Sequence, residues 1–176
     1  MNQRYVTSLL VILVFALLGC GPKEHPKDAV MKENFAVHRA EFEELLKMFK
    51  EDRSLGRVGA GFTRTASFFE ECKGPDAWNG KEIEVSQERI VEYQNLFVIL
   101  GLPNGIEGYC EKENVSFYAS SKGLSVSGSS KGYAYLEKPP VLLVDDLDSY
   151  WSEDSRSFTA YRHIDGNWYL YFDYED

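Results

Sequence analysis

The chain has 176 residues, of which 44% are hydrophobic and 27% charged, and its formal net charge is −9. This length is enough for one compact domain with a substantial core. The acidic balance disfavours binding to nucleic acid and to anionic lipid headgroups, because both are polyanions. It favours either a basic partner or a simply solvated acidic face.

The first 20 residues have the organisation of an export signal. Arg4 precedes an uncharged apolar stretch from Tyr5 to Leu18, which is shorter than the roughly 20 residues that a transmembrane helix needs. A positive start followed by a short apolar stretch is typical of a secretory signal peptide. The stretch ends in Leu17-Leu18-Gly19-Cys20, which resembles the lipobox of bacterial lipoproteins. The resemblance implies cleavage after residue 19 and attachment of lipid to the thiol of Cys20.

The lipobox resemblance also predicts where the protein is located. Multiple acyl chains hold a protein at a membrane, because each buried CH₂ group contributes about 0.8 kcal/mol. In lipoproteins of this kind, Asp after the cysteine favours the inner membrane; Gly21 stands there instead, which implies the periplasmic face of the outer membrane. We expect a signal peptide at 1–19, a tether at 20–28 and a single domain at 29–176. The alternative is an ordinary cleaved signal with an incidental cysteine.

The cysteine count predicts a disulfide. Lipidation of Cys20 would leave Cys72 and Cys110, in a compartment where disulfides persist. We predict that these two residues are bridged, which would stabilise the fold by about 4 kcal/mol in the chain-entropy model for a loop of nearly 40 residues. Two buried free thiols are the alternative.

Two segments have the periodicity of amphipathic helices. The first spans 29–52, with Asp28 as a candidate N-cap. The second spans 87–100, with Ser86 as N-cap and Gly101 at the position after the helix. The apolar stripe of the first segment, which we interpret as core, consists of Phe35, His38, Phe42, Leu45, Leu46 and Phe49. The glycine-rich residues between the two segments predict mainly loop, with a short strand or helix near 62–71.

After Pro103 the periodicity changes from about 3.6 to 2. Residues 115–136 contain three alternating stretches separated by Ser121-Lys122-Gly123 and Ser130-Lys131-Gly132, which we interpret as tight turns of an antiparallel meander. A final hairpin is indicated by Asp165-Gly166 between two further alternating stretches. The sequence therefore predicts an α+β domain, with two helices packed on one face of an antiparallel sheet of about five strands.

The final hairpin also supplies a candidate binding face. If Asp165 and Gly166 form the two-residue loop, Arg162 lies opposite Tyr169 on the face away from the core. That face then exposes Arg162, Tyr169 and Tyr171, and aromatic rings with hydroxyl groups suit a protein or a sugar. The alternative is that these tyrosines pack against a neighbouring element.

Residues suited to catalysis or to metal binding are scattered. His25, His38 and His163 have no metal-ligand spacing among themselves. The acidic stretch Asp145-Asp146-Leu147-Asp148 lacks the glycine and the closing glutamate of an EF-hand loop. We therefore predict no metal and no cofactor. An enzymatic activity stays open, because a sequence does not show which carboxylates meet.

Three stretches of the body resemble small proteobacterial lipoproteins of unassigned function. They span residues 92–102, 130–136 and 161–172, the last being Tyr161-Arg162-His163-Ile164-Asp165-Gly166-Asn167-Trp168-Tyr169-Leu170-Tyr171-Phe172. The resemblance implies an envelope lipoprotein and no particular activity.

The sequence favours a non-catalytic binding or accessory module of the cell envelope. Its partners would be the membrane, through the lipid, and an envelope protein or a glycan. One alternative is an inhibitor of a cationic hydrolase such as lysozyme, because residues 126–135 loosely resemble the Ser-Gly loop of small periplasmic lysozyme inhibitors. A mainly structural envelope protein and an envelope enzyme are further alternatives.

Overall fold

The structure is a computed structural model that describes residues 24–68, 72, 78, 80–110, 112–124, 127–151 and 157–176. Within these residues the chain forms three helices and a seven-stranded antiparallel sheet with the strand order β2-β1-β3-β4-β5-β7-β6. The helices are α1 (Asp28–Val37), α2 (Arg39–Glu51) and α3 (Gln87–Leu100). The strands are β1 (Leu55–Val58), β2 (Thr63–Thr65), β3 (Ile106–Glu107), β4 (Asn114–Leu124), β5 (Ser127–Leu136), β6 (Phe158–Asp165) and β7 (Trp168–Glu175). The α+β class is confirmed, but two helices and five strands were too few.

The helix expected at 29–52 is two helices, because the backbone leaves helical geometry at His38 (φ −111°, ψ 27°). Asp28 is the first residue of α1 and not its cap; Lys27 holds the N-cap position without a side-chain hydrogen bond. The predicted core stripe is buried apart from His38, which is half-buried and lies 3.9 Å from the carboxylate of Glu41.

Helix α3 has the predicted bounds. The Ser86 hydroxyl accepts a hydrogen bond from the Arg89 backbone N–H at 3.2 Å, as an N-cap does. Gly101 ends the helix in the left-handed conformation (φ 67°) that glycine adopts without steric cost. The Tyr93 hydroxyl donates to the carboxylate of Asp52 at 2.7 Å, which joins α3 to the end of α2.

The predicted three-strand meander is instead one long hairpin of β4 and β5. Ser121 lies directly opposite Ser130, so both Ser-Lys-Gly triplets are paired within strands and are not turns. A Cβ atom on Gly132 would lie 2.0 Å from the Phe117 carbonyl oxygen. This glycine is therefore required by the close approach of two strands, which a sequence does not distinguish from a turn.

Part of the segment at 53–85, expected to be mainly loop, forms a hairpin of β1 and β2 that extends the sheet through the two-residue strand β3. Gly56 lies inside β1 and not in a loop. These strands are two to four residues long, too short to produce a readable alternation.

The predicted loop and register of the last hairpin were wrong: Gly166 and Asn167 form the turn instead of Asp165 and Gly166, and the pairing from His163 onwards is shifted by one residue. A bulge between His163 and Asp165 places Asp165 opposite Trp168 and His163 opposite Tyr169. A slip of one residue turns every side chain of a strand to the other face. Tyr169 and Tyr171 of β7 lie on the face away from the main core, as predicted, whereas Arg162 of β6 lies on the opposite face from the one predicted.

The main core lies between the helices and one face of the sheet. At its centre the Phe42 ring packs against Tyr133 (centroids 4.6 Å apart) and Trp168 (5.8 Å). The indole N–H of Trp168 donates to the carboxylate of Glu43 on α2 at 2.9 Å. On the opposite face Tyr169 and Tyr171 form a second buried cluster with Ala134 and Leu136.

The predicted disulfide between Cys72 and Cys110 is confirmed, with the two Cα atoms 5.0 Å apart. The buried Lys112 amino group donates to the carbonyl oxygens of Phe49 and Asp52, the latter at 2.7 Å, at the end of α2, and burial lowers the pKa of Lys112 to about 7. A cation is favourable at the C-terminus of a helix because the unpaired carbonyls carry partial negative charge.

Candidate functional site: the N-terminal pocket

The chain segment that precedes α1 forms one wall of an open pocket of about 340 Å³, which we call the N-terminal pocket. The other walls come from β5, from the connection between β5 and β6, and from β7. The lining residues are Glu24, His25, Lys27, Lys131, Leu147, Asp148, Tyr150, Trp151 and Phe172. The pocket thus joins residues more than 100 positions apart in the sequence.

His25 attaches the segment that precedes α1 to the sheet. Its ring nitrogens hydrogen-bond the hydroxyls of Ser120 (2.6 Å) on β4 and Ser129 (2.8 Å) on β5, and its ring meets Phe172 edge-on with centroids 5.6 Å apart. Burial, together with the nearby positive charges of Lys122 and Lys131, lowers the pKa of His25 to about 4. The imidazole is therefore uncharged at neutral pH, with one nitrogen donating and the other accepting.

Asp28 is the centre of a buried ion-pair cluster beneath the pocket. The Lys131 ammonium lies 2.6 Å from a carboxylate oxygen of Asp28 and 2.6 Å from one of Asp148, and Arg162 donates to Asp28 at 2.9 Å. The Leu147 backbone N–H donates to Asp28 as well, at 2.9 Å. Burial alone would raise the pKa of Asp28, but hydrogen bonds from Lys131, Leu147 and Arg162 hold it below its usual value. Its carboxylate therefore remains ionised.

Two residues of the acidic stretch that was compared with an EF-hand loop, Asp146 and Asp148, lie next to Asp28. One carboxylate oxygen from each of Asp28, Asp146 and Asp148 lies within 4.8 Å of the others. The positive charge between them comes from Lys131 and Arg162. Asp28 and Asp148 are therefore engaged in an ion-pair network, whereas the Asp146 carboxylate accepts hydrogen bonds from the Asp148 backbone N–H at 3.1 Å and from the Ser149 hydroxyl.

The outer wall of the N-terminal pocket is aromatic. Trp151 is 55% exposed, yet neighbouring rings hold it in place: Tyr174 at a centroid distance of 4.7 Å and Phe158 at 5.8 Å, both edge-on. Tyr150 meets Phe158 edge-on at 5.4 Å. An exposed indole with a fixed orientation presents apolar area to a ligand without losing much conformational freedom on binding.

The predicted binding face of Arg162, Tyr169 and Tyr171 does not form a continuous surface. Because of the register shift, Arg162 points to the helix side, where it pairs with Asp28. Tyr169 and Tyr171 lie on the opposite face and are only 6% and 4% exposed. The tyrosines therefore pack against neighbouring side chains, which was the stated alternative. Whether that face binds anything stays a prediction.

The described part of the segment that resembles an inhibitor loop, 127–135, is not a loop. It lies in β5, which pairs with β4 on one side and β7 on the other. The backbone groups that a protruding loop would present are used in the sheet.

A second groove, of about 450 Å³, lies at the end of α3 and is mainly apolar. Phe97, Leu102 and Pro103 contribute to its lining, together with Val98, which is 82% exposed.

None of the helices in the described part of the chain combines the length and the hydropathy that a membrane-spanning helix requires.

No local sequence pattern defines the pocket. His25 belongs to the stretch expected to be a tether, and Lys131 to a triplet interpreted as a turn. Trp151 follows the acidic stretch at 145–148, and a sequence does not show whether a tryptophan is exposed.

No protein-family model, no curated protein and no solved structure matches the chain. The fold and the pocket define it as an α+β protein with one disulfide and an aromatic-walled pocket next to the segment that precedes α1.

Proposed function

We propose that this protein is a binding module of the cell envelope that lipid on Cys20 anchors to the membrane. The protein binds its partner in the N-terminal pocket and does not convert it chemically. The observation that supports this function is the position of the pocket: the first of the described residues, Glu24, belongs to its lining and is four residues from Cys20 in the sequence. Extended backbone spans at most about 3.6 Å per residue, or about 14 Å over four residues. A ligand in the pocket would therefore be bound close to the membrane surface.

The charges around the pocket favour binding over acid–base catalysis. A carboxylic acid that donates a proton near neutral pH needs a raised pKa, whereas the pKa of Asp28 is lowered. Asp148 is occupied as well, since it accepts from the Lys131 ammonium and from the Asp28 backbone N–H at 3.1 Å. These groups hold the pocket walls together, and the aromatic rings and exposed side chains around them are available to a ligand.

The anchor is tested by metabolic labelling with an alkyne fatty acid followed by membrane fractionation. The wild-type chain should be labelled and should sediment with membranes, outer membranes in particular, because Gly21 follows the cysteine. Cys20→Ser should abolish both results. Labelling that persists in Cys20→Ser would contradict the anchor.

The pocket is tested by photo-crosslinking in living cells with a photoreactive amino acid in place of Glu24, which is exposed. A matched control carries the same amino acid at Val98, in the apolar groove. We expect a discrete adduct from position 24 that is absent from position 98. Adducts from position 98 alone would show that the partner binds elsewhere and would refute the pocket as the binding site.

A further inference from the structure

We propose that the N-terminal pocket takes an uncharged saccharide, an inference that rests on the proposed binding function and specifies its ligand. A sugar ring has an apolar face of C–H groups and an edge of hydroxyl groups. A site for it needs a fixed aromatic surface and several hydrogen-bonding side chains next to each other. The pocket supplies both in a volume of about 340 Å³, at the small end of the range for ligand sites. Glu24, Lys27 and Tyr150 provide the polar groups, since His25, Lys131 and Asp148 are engaged in the contacts described above.

The aromatic surface is provided by Trp151 and is fixed before any ligand arrives. Tyr174 and Phe158 both contact the indole edge-on, and Phe158 packs on Phe172 of the pocket lining at 5.8 Å. The Trp151 side chain remains 55% exposed in spite of these contacts, so a large apolar area is accessible to a ligand. Stacking a C–H face on it would remove that apolar area from water.

The charges of the pocket lining favour a neutral ligand. Glu24 and Asp148 contribute two negative charges, and Lys27 and Lys131 contribute two positive charges. His25 is uncharged at neutral pH, because burial and the nearby lysines lower its pKa to about 4. Beneath the lining, Asp28 is paired with Arg162, and the positive charge of Lys122 near His25 is balanced in number by the negative charge of Asp146 near Asp28. A phosphate or an ammonium group would therefore meet no net opposite charge, whereas hydroxyl and amide groups would meet both donors and acceptors.

The proposal is tested with the full-length lipidated protein in nanodiscs made without glycolipids. The probes are three neutral trisaccharides (chitotriose, cellotriose and maltotriose) and the fully deacetylated, cationic form of chitotriose. Binding is followed by tryptophan fluorescence and by NMR shifts of the indole N–H groups. We expect at least one neutral trisaccharide to bind with an affinity that changes less than about twofold between 0.05 and 0.5 M salt, because screening acts only on charged ligands.

Variants separate stacking from charge. Trp151→Ala should lower the affinity at least about tenfold, a loss of about 1.4 kcal/mol, while Val98→Ala, in the apolar groove, should leave it unchanged. Glu24→Gln and Lys27→Gln keep polar side chains and remove one charge each; both residues are exposed, so folding should be preserved. For a neutral ligand the affinity should not rise in one of these variants and fall in the other, whereas a charged ligand would respond to the two variants in opposite directions.

The inference is overturned if none of the neutral trisaccharides binds at 10 mM, if only the cationic form binds, or if Trp151→Ala binds as well as the wild type. Its failure is distinguishable from failure of the proposed function. An adduct captured at position 24 in cells, without saccharide binding, would retain the binding module and refute only its ligand class. Absence of both an adduct and a lipid label would refute the proposed function itself.

Discussion

The two flanks of the sheet are held by different kinds of interaction. On the flank of β1, β2 and β3, the Cys72–Cys110 disulfide links the segment that follows β2 to the segment that follows β3. The buried Lys112 connects this flank to the end of α2. The flank of β5, β7 and β6 is joined to α1 by the ion pairs of Asp28 and to the N-terminal segment by the hydrogen bonds of His25. We therefore expect reductant to lower the stability of the first flank and acid to lower the stability of the second. The N-terminal pocket lies on the second flank.

The largest effect is expected from removing the disulfide. The double variant Cys72→Ala/Cys110→Ala should lower the free energy of unfolding by about 4 kcal/mol, because the unfolded chain loses a constraint on a long loop. Urea unfolding of the oxidised and reduced wild-type protein, compared with the variant, measures this effect. Equal midpoints for the oxidised and reduced wild type would contradict it.

A somewhat smaller effect is expected at the other flank from Asp28→Asn, which leaves the buried Lys131 with only one of its two carboxylates and removes the carboxylate that Arg162 contacts. We expect a loss of about 3 kcal/mol, since breaking a buried ion pair leaves an uncompensated charge. Asp146→Asn is the matched control: Asp146 is exposed, and its loss should change stability by less than about 0.5 kcal/mol. Thermal unfolding measures both, and equal melting temperatures for the two variants would show that the Asp28 ion pairs do not stabilise this flank.

Lys112→Met should cost about 2 kcal/mol. Methionine keeps the side-chain length but removes the donor to the carbonyl oxygens of Phe49 and Asp52, which would then be buried without that partner. The control is Lys47→Met, on the exposed face of α2, the helix whose C-terminal end Lys112 contacts. A Lys112 variant as stable as this control would show that water replaces the ammonium at little cost.

The smallest effect concerns His25 and is a pH dependence. Because the pKa of His25 is about 4 in the folded protein and near 6.5 unfolded, the unfolded state binds more protons between these values. The stabilisation by His25 is therefore complete above pH 6.5 and is lost as the pH falls towards 4. NMR titration of the imidazole should give a midpoint near 4, and His25→Gln should reduce the acid sensitivity of the N-terminal segment. A midpoint near 6.5 would show that the segment is undocked.

Local patterns were sufficient for some elements and insufficient for others. Helix α3 was predicted with its bounds, because Ser86 and Gly101 act through neighbouring backbone groups. The Cys72–Cys110 bridge was predicted because few pairings were possible. The three-strand meander was predicted wrongly, because Ser130-Lys131-Gly132 has the composition of a turn. Gly132 is instead needed because the neighbouring strand β4 passes too closely for a side chain. The register of β6 depended on one bulge that no residue type indicates.

The sequence by itself determined the α+β class, the core stripe of α1 and α2, the inward and outward faces of β7 and the pairing of the cysteines, because these follow from periodicity, capping and composition. The tertiary structure alone decided that Arg162 turns inward to Asp28, that Tyr169 and Tyr171 are buried, and that His25, Lys131 and Trp151 surround one pocket. The physical reason is that periodicity and capping act over a few residues, whereas ion pairs, strand register and pocket walls join residues that only the completed fold brings together.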